Sequence, residues 1–148
     1  WQRGYVLFTG DVAGVKIKSG IIEPPCPPPD IDVEAWKNSI ANMRKINPSA
    51  FYLTHFGKVE DTETHLNQLE HYLDSWVAWM RPHYEKGESV EEITPQFQEF
   101  VAGQFREAGV DMQVFETYEA ANPAWMSVTG LLRYWKKKLN PRKQEGSR

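Results

Sequence analysis

Residues 5–14 read YVLFTGDVAG and residues 50–57 read AFYLTHFG. Each is a short apolar and aromatic run that breaks into a loop, the pattern of a buried strand and its exit turn. Between them, EPPCPPPD at 23–30 holds five prolines, which forbid helix and interior strand alike. Asp30 or Asp32 then caps a helix whose face is Val33, Trp36, Ile40 and Met43, and Asn47-Pro48 stops it. The order is strand, long loop, helix, strand. A helix joining two strands crosses over so that they lie parallel, with a right-handed connection. Parallel strands share one C-terminal edge, and open α/β sheets bind ligands outside that edge. Asp11 and His55 each stand just past the end of their own strand. Neighbouring strands lie about 5 Å apart, so the two side chains can reach one shared ion.

The rest of the chain sets limits on function. Its 148 residues make one ordinary domain, or a small one with an appendage. With 41% hydrophobic and 25% charged residues, the composition is that of a globular protein. The net charge of −3 argues against nucleic acid as the main partner. Lys136-Lys137-Lys138, with Arg142 and Lys143, falls at a helix end, where cations complement the helix dipole. The single cysteine, Cys26, excludes an internal disulfide and fits a reducing, cytoplasmic setting. No apolar run approaches the roughly 20 residues that span a bilayer, so no membrane partner is expected.

After Gly57 the pattern is helical throughout. Leu66, Leu69, Leu73, Trp76, Val77 and Met80 mark a long helix expected to end or kink near Pro82. Ser89 and Glu92 match a capping box, and Thr94-Pro95 matches a fresh helix start. Phe97, Phe100, Val101 and Phe105 form the next stripe, followed by a short helix from Asp111 with Met112, Phe115 and Tyr118 inward. Asn122-Pro123 opens the last helix, with Trp125, Val128, Leu132, Trp135 and Leu139 as its expected face. The division that results is an α/β part over 1–58 and an α-helical subdomain over 59–148. Val15-Lys16-Ile17-Lys18 alternates, as in a short exposed strand or a loop edge, and the long segment that follows suits the rim of a pocket.

A divalent metal is the chemical reason to pair an Asp with a His at one strand edge. Imidazole suits zinc and iron, and a carboxylate bridges two ions about 3.5–4 Å apart in binuclear hydrolases. The plainer alternative is a loop Asp capping backbone amides and a His hydrogen-bonded in the sheet. Calcineurin-like phosphoesterases need a later Gly-Asn-His, which this chain lacks. Haloacid-dehalogenase phosphatases need a second acid a few residues on, where Gly14, Val15 and Lys16 stand.

LFTGDVAG, a proline-rich loop, a helix and then FYLTHFG resembles the C-terminal half of the metallo-β-lactamase fold superfamily. That resemblance covers residues 4–58, while the helical part resembles the extension of glyoxalase II-like members in architecture alone. It implies an α/β fold, the C-terminal half of an αββα sandwich followed by a helical subdomain. It also implies that Asp11 bridges two metals, zinc first and iron or manganese as alternatives, and that His55 binds the second. Asp11 further accepts a hydrogen bond from the attacking water, which makes it catalytic as well as a ligand.

The family's His-x-His-x-Asp-His motif and its middle His do not occur among these residues. The four histidines, His55, His65, His71 and His83, include no pair one residue apart. Two ligands leave the roughly four contacts of zinc incomplete. The expectation is therefore a C-terminal portion, silent alone, whose sheet face calls for the missing N-terminal half or for a second copy.

The remaining candidates divide between chemistry and packing. His65, early in the long helix, suits a place behind the metal ligands or against the substrate, or else a helix surface. His71 and His83 read as solvated. Cys26 reads as a thiol without a basic partner, and the aromatic stripes read as core. The implied function is a metal-dependent hydrolase of small-molecule esters, thioesters or lactones. The alternative is a non-catalytic helical dimerisation or interaction module. Oxygen chemistry at one iron, as in the persulfide dioxygenases of this fold, is a third possibility.

Overall fold

A computed structural model describes residues 4–29, 31–55 and 57–140. Among them lie strand β1 (Val6–Phe8), helix α1 (Val33–Ile46), strands β2 (Ala50–Leu53) and β3 (Gly57–Val59), and helices α2 (Thr62–Lys86), α3 (Val90–Glu107), α4 (Met112–Ala121) and α5 (Ala124–Leu139). The chain is thus mixed α/β and mostly helical, with five α-helices and a three-stranded sheet among the described residues. No helix there is long and apolar enough to cross a membrane.

The expected parallel pair forms. Val6, Leu7 and Phe8 align with Ala50, Phe51 and Tyr52, and α1 makes the crossover. Asp32 caps α1 by accepting the Ala35 N–H at 2.8 Å. The other proposed cap, Asp30, lies outside the described residues. Arg44 ties α1 to α2 through Glu70 (2.9 Å) and Asn67 (2.7 Å).

Several expectations need correction. β1 is not buried: it is an edge strand with Leu7 turned toward the helices, while Tyr5 and Phe8 are 75% and 78% exposed. The pattern after Gly57 is not helical from the outset: Gly57–Val59 forms β3, which crosses the expected 58/59 boundary and pairs antiparallel with β2. Val15 and Ile17 are buried rather than set in an exposed strand, and a single bridge joins Val15 to Glu23. Helix α2 runs through Pro82 to a left-handed cap at Gly87. Helix α3 is one helix from the Ser89–Glu92 capping box onward. Pro95, the sixth residue of α3, removes one helical hydrogen bond, that to the carbonyl of exposed Glu91.

The buried face of α5 is Ala124, Val128, Leu131, Tyr134 and Trp135, while Trp125 and Leu139 face outward. Small residues set this rotation. A Cβ on Gly130 would stand 2.1 Å from the Cys26 carbonyl oxygen, so the proline-rich segment lies directly on α5.

That segment is packed rather than loose. Val15, Ile17, Ile21, Cys26 and Ile31 share one core with Trp76, Phe97, Phe105, Val128 and Leu131 of the helices. Tyr118 secures it, accepting the Ile17 N–H at 2.6 Å and donating to the Ile21 carbonyl at 2.7 Å. A smaller core sets Phe51 and Leu53 against Ile40, Met43, Leu66 and Leu69.

Candidate metal centre

Parallel register makes both strands leave at the same edge. The Thr9 N–H donates to the Tyr52 carbonyl at 3.2 Å and extends the ladder by one step. Gly10, at φ 57°, then turns the chain into a single 3₁₀ turn, Gly10–Ala13, that carries Asp11. On the neighbouring strand, His55 follows Leu53 by two residues. The outcome is a separation of 3.5 Å between His55 Nε2 and Asp11 Oδ1, with both side chains more than half exposed.

The separation is that of an Asp–His ion pair and is equally compatible with two ligands of one metal ion. Two ligand atoms each about 2.1 Å from one tetrahedral ion stand about 3.4 Å apart. Their exposure leaves the remaining corners open to other donors. Among the described residues no group of three or more His, Cys, Asp and Glu gathers, so Asp11 and His55 would supply at most two of the roughly four contacts that zinc takes.

His65 does not join the pair. It is 2% exposed, and its Nε2 lies 2.7 Å from the Ala13 carbonyl oxygen. A carbonyl only accepts, so Nε2 carries the proton and donates, which leaves Nδ1 bare and without a partner. Burial lowers the imidazole pKa, with the Ala13 bond acting the other way. His65 thus positions the turn that holds Asp11, and the helix-surface alternative is excluded by its burial.

A second anchor went unrecognised in the sequence. Trp36, read only as part of the α1 face, donates its Nε1–H to the Val12 carbonyl at 2.7 Å. An apolar stripe gives no sign of where its indole nitrogen will point. Gly14 closes the turn at φ 77°, where a Cβ would lie 2.8 Å from the Glu23 carbonyl oxygen.

The other candidates have structural partners. His83, expected to be solvated, pairs with Glu88 at 2.6 Å and lies on Trp79. His71 is exposed. Cys26 is fully buried, donates to the Pro24 carbonyl at 3.3 Å, and has its thiol pKa pushed up by that burial. Glu23, unremarked in the sequence, is 3% exposed and accepts from the Asn122 side-chain amide at 3.2 Å. Burial pushes its carboxyl up to about 8, against the Asn122 bond and together with Glu119.

Comparison of the chain with protein families, with curated proteins and with solved structures returned no match.

Proposed function

We propose that this chain forms the metal-binding edge of a metal-dependent hydrolase of the metallo-β-lactamase fold, as the C-terminal portion of its αββα sandwich. The supporting observation is the 3.5 Å approach of Asp11 and His55 at the common end of two parallel strands. In this reading Asp11 and His55 hold the metal, and the remaining ligands come from the other half of the fold. The bound metal supplies Lewis-acid activation of water and of an ester, thioester or lactone carbonyl. Asp11 orients the attacking water by accepting its hydrogen bond. His65 and Trp36 keep the Asp11 turn in place through the Ala13 and Val12 carbonyls. Equilibrium dialysis against zinc, on the protein that carries the other half of the fold as well, tests the assignment. Zinc uptake that falls in both Asp11→Ala and His55→Ala supports it, and uptake unchanged by either variant removes it.

An exposed sheet face favours a second reading, a non-catalytic interaction module. Phe8 stacks on Tyr52 with ring centroids 5.3 Å apart, and Val6, on the same face of β1 as Phe8, is exposed too. Contiguous apolar surface of this kind marks an association site. Concentration-dependent sedimentation that is lost in Phe8→Ser, in a chain that takes up no zinc, would favour the module.

A further inference from the structure

Beside Asp11 lies a cavity of about 300 Å³ between the proline-rich segment and the first turns of α1. Its chemistry is unlike that of the pair it adjoins. Pro25, Pro27, Ile31 and Trp36 line it, and prolines have no N–H to offer. The indole N–H of Trp36 is committed to the Val12 carbonyl, so the ring presents only carbon to the space.

The polar lining residues on α1 are engaged as well. Asp32 accepts the Ala35 N–H at 2.8 Å, and Ser39 donates to the Ala35 carbonyl at 3.0 Å. What remains is an apolar surface flanked by two carboxylates, Asp11 and Asp32. Such a cavity attracts carbon and repels anions. Its volume lies at the lower end for small-molecule pockets, in a groove open to solvent. It therefore has room for one ring or a short chain, with the rest of a ligand outside.

We propose that the cavity lined by Pro25, Pro27, Ile31 and Trp36 is the subsite for an uncharged aryl or short acyl arm of the substrate, seated so that the adjoining bond lies at Asp11 and His55. The term substrate rests on the hydrolase reading above; the cavity's preference for an uncharged apolar ligand does not. Among candidate substrates this favours aryl or short-acyl esters and lactones over those whose arm carries a carboxylate or phosphate.

The test uses benzyl alcohol as the neutral probe and phenylacetate as its anionic counterpart, followed by nuclear magnetic resonance. The Trp36 indole N–H signal is assigned from its loss in Trp36→Phe. Benzyl alcohol is expected to shift that signal and to give nuclear Overhauser contacts to the Ile31 and Ala35 methyl groups. Phenylacetate is expected to bind at least about tenfold more weakly. Ala35→Phe fills the space from an exposed position and is expected to abolish the shift. The Overhauser contacts locate the probe even if that variant folds poorly.

No shift with benzyl alcohol, contacts elsewhere, or equal binding of phenylacetate would overturn the proposal. A chain that holds benzyl alcohol at Ile31 yet takes up no zinc keeps the apolar site and loses the hydrolase. A chain that takes up zinc and ignores benzyl alcohol does the reverse.

Discussion

His65 donates through Nε2 to the carbonyl of Ala13, so a buried residue of α2 holds the turn on which Asp11 sits. The bond links the long helix to the sheet edge without bringing His65 to either candidate ligand. His65→Ala should cost about 2 kcal/mol, from the orphaned carbonyl and the space left behind. Zinc uptake should weaken too, although no proposed ligand is removed. Calorimetry of unfolding and dialysis measure the two effects, and unchanged values for both would separate His65 from the site.

The same residue shapes acid stability. Its folded pKa lies below the unfolded value of 6.5, so the unfolded chain binds the proton first as pH falls. The contribution of His65 to stability should therefore be intact above 6.5 and decline below it. Denaturant titrations of His65→Gln should lack this decline, and a slope equal to wild type would assign it elsewhere.

Glu23 acts in the opposite direction. Its carboxyl, pushed up to about 8, keeps its proton when the unfolded chain has released one above 4.5. The contribution of Glu23 to stability should fall between those two values and level off above the higher one. Glu23→Gln retains an acceptor for Asn122 and should flatten this alkaline decline. Parallel urea curves at pH 6 and pH 8.5 decide the matter, since identical losses in both proteins would show that Glu23 does not titrate in this window.

Tyr118→Phe leaves the buried Ile17 N–H and Ile21 carbonyl without their shared partner. A loss of at least about 2 kcal/mol is expected. Amide exchange at Ile17 should accelerate more than at Phe51, which lies in the other core. Uniform acceleration would mean that the loop has no separate dependence on Tyr118.

Asp11→Ala and His55→Ala should behave differently from these core changes. Both side chains are exposed, so each substitution should shift stability by no more than about 0.5 kcal/mol while weakening zinc uptake. Large destabilisation would mark the pair as a structural ion pair.

The Asp11–His55 edge was legible because it depends on chain order alone. Two apolar runs joined by a capped helix give parallel strands, and parallel strands end together. β3 was illegible because Gly57-Lys58-Val59 has one apolar residue and no alternation long enough to count. Its strand character comes from pairing with β2. Val6 and Phe8 read as buried because their residue types suit an interior, whereas they share the exposed face of the sheet with Tyr52, opposite the face that Leu7 turns to the core. The α5 face departs from the spacing of its large side chains because Gly130, which lacks a Cβ, marks the side that meets the loop. His65 and His83 look like surface residues by spacing, and only tertiary partners distinguish them.

Tyr118 meets Ile17 across 101 positions of chain, and Asn122 meets Glu23 across 99. A ribosome makes the protein from its N-terminus, so the Asp11 turn and the prolines emerge well before either partner exists. Until α4 and α5 follow, Ile17, Ile21 and Cys26 lack the surfaces that bury them. The candidate site is thus written early and completed late, and during that interval the nascent chain shows apolar loop residues to any chaperone within reach.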